Sequence, residues 1–136
     1  MAMSLTQAHR DACLAQLGRL LERTPGIQVA ALGLRDGRAF AQMHREPVDA
    51  GKLAAMASSL TALGATTLRE LSAGALDHVL IEGEHGKLVL VRLPELSGLM
   101  ILAVQATAET RLGLVLGQAR TCAVALGEVL ARAADT

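Results

Sequence analysis

The chain has 136 residues with Lys+Arg 13 against Asp+Glu 13, so its formal net charge is zero; this argues against a duplex-binding surface built on a basic field and leaves only a local patch open. Hydrophobic residues are 51% and charged residues 19%, a balance that argues against disorder and lets a chain of this length bury a core without disulfide or metal staples. The composition holds 25 Leu and 25 Ala but a single aromatic residue, Phe40, which argues against base-stacking platforms and aromatic cation cages.

One domain over residues 1–136 is the expectation. Ser4 with Gln7 reads as a capping box. Helical spacing then puts Leu5, Ala8, Ala12, Cys13, Leu17, Leu20 and Leu21 on one stripe, and Pro25-Gly26 ends the helix. Residues 27–34 and 38–44 read as strands joined by Arg35-Asp36-Gly37, since Asp-Gly is a strong hairpin signal. Asp49 is the expected N-cap of a second helix that runs to about Leu71 and is closed by Ser72-Ala73-Gly74.

Residues 76–83 and 87–93 read as two further strands, joined through Glu84-His85-Gly86. A turn over Pro94 to Gly98 leads to a fifth strand, 99–105. The last helix, from about Glu109 to Arg132, gathers Leu112, Val115, Leu116, Ala119, Cys122, Ala123, Leu126 and Val129 on one stripe. The order α-β-β-α-β-β-β-α has one long crossover, so a five-stranded, mostly antiparallel sheet is expected. Helices should cover both faces, because strands 87–93 and 99–105 are almost continuously apolar and belong near the centre. The fold class is α+β.

Chemistry-bearing patterns are sparse. Cys13 and Cys122 fall on apolar stripes without CxxC spacing, and read as buried thiols. His9, His44, His78 and His85 form no i,i+4 pair and no Cys/His cluster suited to zinc. Gly83 to Lys87 lacks the spacing and helix start of a phosphate loop. Ser58-Ser59 sits mid-helix without a nucleophile elbow. Arg10, Arg19 and Arg23, beside Glu22, read as a solvated helix face. No catalytic residue, cofactor or metal site is indicated. The N-terminus lacks a signal-peptide layout, and the longest charge-free run, Leu53 to Leu68, is too hydroxylated to span a bilayer. A cytoplasmic protein without a membrane span is expected.

The ordered set of "VAALGLRDGRAFAQ", "KLAAMASSLTALG", "HVLIEGEHGKLVLVRL", "LMILAV" and "LGLVLGQARTCAVALGEVL" resembles the roadblock (dynein light chain) family, particularly its small bacterial members. The resemblance covers about residues 8–132. It implies a profilin-like or longin-like fold and a non-enzymatic homo- or heterodimer that binds or regulates a small Ras-like GTPase. A signalling adaptor encoded with a sensor kinase is a further implication.

On helix 49–72, Leu53, Met56, Ala57, Leu60, Gly64, Thr67 and Leu71 form the stripe expected against the sheet. Ala55, Ser58, Ser59, Ala62, Ala65, Thr66 and Arg69 lie opposite and are mostly small. That side reads either as a close helix–helix contact or as a face selected for helix propensity. Strand 76–83 carries Leu76, His78, Leu80 and Glu82 on one face and Asp77, Val79 and Ile81 on the other. As an edge it would invite another strand, unless Asp77 and Glu82 simply keep it solvated. The family resemblance favours the interface reading for both elements. A PAS-like or profilin-like small-molecule sensor is the alternative, weakened by the lack of aromatic pocket walls.

Overall fold

The computed structural model describes residues 6–94 and 99–134. Helix α1 (Gln7–Arg23) is capped by Thr6, whose hydroxyl accepts from the His9 N–H while the His9 ring accepts from the Thr6 N–H at 2.8 Å. The capping box therefore stands two residues after the expected Ser4; Ser4 and Leu5 lie outside the described residues. Because His9 turns inward as the box partner, it is buried and Ala8 is exposed, the reverse of the expected stripe.

Strands β1 (Ile27–Leu34) and β2 (Ala39–His44) form the expected hairpin. Gly37 supplies the left-handed turn at φ 96, and the Asp36 carboxylate accepts from the Arg38 N–H at 3.2 Å. Helix α2 (Ala50–Glu70) begins as expected at Asp49, whose side chain accepts from the Lys52 N–H at 3.0 Å. It ends in a Schellman motif: Ser72 takes φ 53, its N–H donates to Arg69 O, and Ala73 N–H donates to Leu68 O. Strands β3 (His78–Gly83), β4 (Gly86–Arg92) and β5 (Met100–Ala106) follow, then α3 (Leu112–Ala134). Leu76 and Asp77 precede β3 rather than opening it, and α3 begins three residues later than expected. Most of the Pro94–Gly98 turn lies outside the described residues.

The sheet order is β2-β1-β5-β4-β3, and all four pairings are antiparallel. Helices α1 and α3 pack on each other and on one face, and α2 covers the other. β5 is the middle strand and alternates between two cores. Met100, Leu102 and Val104 join Leu17, Leu32, Val89 and Leu126 under α1 and α3. Ile101 and Ala103 join Leu90 and Ala57 under α2. This explains the unbroken apolar run that strand requires.

Helix α3 is long and apolar enough to cross a membrane by length and composition alone. Its Val115, Ala119, Cys122, Ala123, Leu126 and Leu130 are buried in the main core, so it is a core helix. Val129, expected on that stripe, is only half-buried.

The sheet-facing side of α2 departs from expectation. Ala54, Ala57 and Thr61 are its buried residues, whereas Met56 is 49% exposed, Leu71 is 70% exposed and Thr67 is exposed. At 3.6 residues per turn Thr61 and Leu68 lie within about 40° of the buried Ala57, whereas Met56 and Thr67 lie about 100° and about 80° from it and so reach the border of the helix face. Leu71 is the C-cap, beyond the last helical turn.

Candidate interaction surface

The α2 side turned away from the sheet and the neighbouring edge strand β3 form the candidate surface. Ala55, Ser59, Ala62, Thr66 and Arg69 are exposed on that side, and Ser58 and Ala65 are half-buried along its border. The Ser58 hydroxyl donates to the Arg35 carbonyl, and the Arg69 guanidinium donates to the Thr66 hydroxyl at 3.3 Å. Side chains this small leave the helix backbone approachable, with little side-chain entropy to lose on contact.

Gly64 is what seats α2 over β3. A Cβ there would lie 3.4 Å from Leu76 Cδ1 and 3.6 Å from Val79 Cγ2. Val79 accordingly packs into the small core under α2. β3 pairs only with β4, so its outer backbone edge has no strand partner among the described residues. Leu80 and Ile81 are both substantially exposed, one on each face of that edge. An apolar, proline-free edge of this kind is an association site unless something covers it.

The structure divides the expected surface residues between two sides. Register places His78, Leu80 and Glu82 opposite Val91, Val89 and Lys87, and Val89 and Val91 belong to the core under α1 and α3. Their side chains thus lie on the sheet face away from α2. His78 is engaged within the chain: its ring lies 2.9 Å from an Asp77 carboxylate oxygen that also meets Arg120 of α3. Glu82 reaches Lys87 at 3.6 Å. The feature common to α2 and β3 is therefore the strand's backbone edge, with Ile81 on the α2 side. Leu76 is half-buried against Gly64.

Two exposed apolar residues escaped the sequence reading. Leu63 is 65% exposed on the outer face of α2, and Met56, assigned inward, is its neighbour on the same flank. Counting positions from Ala57 at 100° each would have found both. Between the first turns of α2 and the β3–β4 turn lies an open groove of about 600 Å³, with Leu53, Met56, Ile81 and Leu88 in its wall and no Phe, Tyr or Trp.

Nothing in this surface is arranged for covalent or metal chemistry. Among the described residues no group of three or more His, Cys, Asp or Glu side chains could hold a metal. Cys13 and Cys122 are buried. Burial pushes the Cys13 thiol up to about 11 and the Cys122 thiol up to about 12, away from the thiolate a nucleophile needs.

Comparison with known proteins agrees with this architecture. Residues 14–106 match the model of the Roadblock/LC7 domain. Two uncharacterized proteins of Methanocaldococcus jannaschii are each 36% identical to the chain over 95 residues, 70% of this chain and 80% of theirs. Among solved structures, MglB in a tetrameric arrangement superposes with a TM-score of 0.84 at 21% identity, covering 97% of both chains. The gliding protein MglB of Thermus thermophilus superposes with a TM-score of 0.83 at 19% identity, over 96% of this chain and 97% of that one. A Roadblock/LC7 domain from Streptomyces avermitilis gives 0.77 at 24% identity, over 87% of this chain and 97% of that one.

Proposed function

Since the chain belongs to the Roadblock/LC7 family, we propose that it is a non-enzymatic, homodimeric adaptor that binds or regulates a small Ras-like GTPase or an associated signalling complex. The observation that carries this reading is the continuity of a small-residue helix face with an unpaired apolar strand edge. Two copies related by a two-fold axis would meet α2 to α2 and β3 to β3, extending one sheet through both subunits. Ala55, Ser58, Ser59, Ala62, Ala65, Thr66 and Arg69 would supply the helix contact. Leu76, His78, Leu80 and Glu82 would flank the paired strands.

The working unit in this reading is a single cytoplasmic domain with a core of about residues 8–132, alongside a GTPase and a sensor kinase. Binding alone would shift nothing in a GTPase; the adaptor must prefer one nucleotide state. A small-molecule sensor is the competing reading. Its groove beside Met56 and Ile81 has polar side chains at its border, Asp49, Lys52, His85 and Lys87 among them, but none of the Phe, Tyr or Trp walls such pockets use.

Light scattering tests the dimer. Wild type should run near twice 14.1 kDa. Leu63→Glu, which places a carboxylate on the outer face of α2 beside Ala62 and Ser59 of the proposed contact, should run near 14.1 kDa. A monomeric wild type or an unaffected variant refutes the interface. Titration with a small GTPase encoded beside the gene, loaded in turn with GDP and a non-hydrolysable GTP analogue, tests regulation; equal affinities refute it.

A further inference from the structure

Three arginines from three elements converge at the end of the sheet where α2 crosses β5. Arg35 follows β1, Arg69 closes α2 and Arg92 ends β4. They line one cavity of about 250 Å³ with Ser58, Thr61 and Thr66. Among the described residues no carboxylate contributes to its lining and none of the three guanidiniums is paired with one. Thr66 holds the Arg69 guanidinium at 3.3 Å, and Arg92 is steadied by the Leu76 carbonyl at 3.2 Å. Each keeps further N–H donors to offer.

An independent observation lies at the base of the same cavity. Thr61 is only 6% exposed, and its hydroxyl is buried without a hydrogen-bond partner. A buried, unsatisfied hydroxyl is destabilising, and such a group calls for a physical reason.

We propose that this cavity binds the phosphate group of a small anion, held by Arg35, Arg69 and Arg92 with the Thr61 hydroxyl donating from below. Three planar guanidinium forks and a hydroxyl offer more donors than the two oxygens of a carboxylate accept. A phosphate carries about −1.5 to −2 charges and three free oxygens when esterified, and matches that donor set. Ala65, Arg69 and Arg92 also border a second space of about 460 Å³, lined further by Ser72, Gly74, Ala75 and Leu76. That space has room for the organic part of a phosphomonoester. The proposal does not rest on self-association, although Ser58, Ala62, Ala65, Thr66 and Arg69 belong to both surfaces.

Calorimetry on the full chain tests it, with inorganic phosphate and glycerol phosphate titrated at an ionic strength matched by chloride. Wild type should bind saturably, one anion per chain. Arg69→Gln and Arg92→Gln should each weaken binding at least about tenfold, the loss expected for a charge-assisted hydrogen bond. Thr61→Val, which keeps the shape and removes the donor, should weaken it about three- to tenfold. Arg38→Gln, on the β1–β2 turn and outside the lining, should leave it unchanged. Tighter binding of glycerol phosphate would support an esterified ligand, and equal binding would support free phosphate. Absence of heat above the chloride blank overturns the proposal, as does unchanged affinity in the arginine variants or in Thr61→Val. Circular dichroism confirms that each variant is folded. Because five lining residues also belong to the proposed helix contact, the titration is repeated on Leu63→Glu, whose substitution lies outside the lining; absence of binding in both proteins overturns the site whatever the molar mass shows.

Discussion

A methyl group added at Gly33 of β1 would stand 3.1 Å from the Ala54 Cβ of α2 and 3.3 Å from the Arg38 carbonyl oxygen. The helix lies on the sheet at that point because neither residue carries more than it does. Gly33 also sits at the register irregularity between Leu32 and Gly33 in the β1–β2 ladder. Gly33→Ala should therefore lift the first half of α2 and cost roughly 1–3 kcal/mol, read as a fall in Tm of roughly 3–12 °C. In a double-mutant cycle, adding Ala54→Gly should recover part of that loss despite the helix penalty of glycine. Strict additivity would show that the two residues do not press on each other.

The order of the elements along the chain could be inferred because each carries its own punctuation. Asp36-Gly37 and Asp49 sit where turn and cap chemistry placed them, and strand limits differ from expectation by one or two residues. What escaped is information held between elements. Met56 was assigned inward as part of the apolar stripe with Ala57, but a single residue is a step of about 100°, which turns it toward the β3 groove. Ser72, not Gly74, takes the left-handed position that ends α2, although Gly74 also has positive φ; composition points to glycine there, and only the hydrogen bonds to Arg69 and Leu68 reveal the serine. The face swap of His78, Leu80 and Glu82 relative to α2 follows from register with β4, which no local pattern encodes. Arg35, Arg69 and Arg92 are 34 and 23 residues apart in sequence, so only the fold unites them.

The two cysteines give the protein a signature at alkaline pH. Both thiols are raised, Cys13 by burial and Cys122 by burial and then by its neighbour Cys13, to about 11 and about 12 from 9.0. A folded pKa above the unfolded one means that the neutral thiol is favoured in the native state. Its contribution is fully present below pH 9 and is lost as pH rises toward 11 and 12. Stability should fall by up to about 1.4 kcal/mol per pH unit for each thiol in that window. The chain has no tyrosine, so no phenol titrates there. Urea unfolding at pH 8, 9.5 and 10.5 should show a steeper decline for wild type than for the Cys13→Ala, Cys122→Ala double variant. Iodoacetamide at pH 8 should leave both thiols unmodified until urea is added; rapid labelling of the native protein would contradict their burial.

Arg45, just past β2, clamps the end of α1 to the start of β1. Its guanidinium donates to the carbonyls of Pro25 and Ile27, each at 2.7 Å, and to that of Leu21. Its own N–H donates to Gln28 O at 2.8 Å. Leu21 lies in the last turn of α1, where unsatisfied carbonyls and the helix dipole both favour a cation. Three carbonyls converging on one planar fork require arginine geometry rather than charge alone. Arg45→Met should cost roughly 1–3 kcal/mol, because it removes charge-assisted hydrogen bonds and leaves three acceptors to find water. Arg45→Lys should retain the dipole interaction yet recover only part of that loss, since one ammonium cannot reproduce the fork. Urea unfolding with an unchanged m-value is the appropriate readout, as a changed slope would implicate the denatured state instead. Full recovery by lysine would reduce the clamp to a simple charge effect, and a loss below about 0.5 kcal/mol for Arg45→Met would make it an ordinary surface contact.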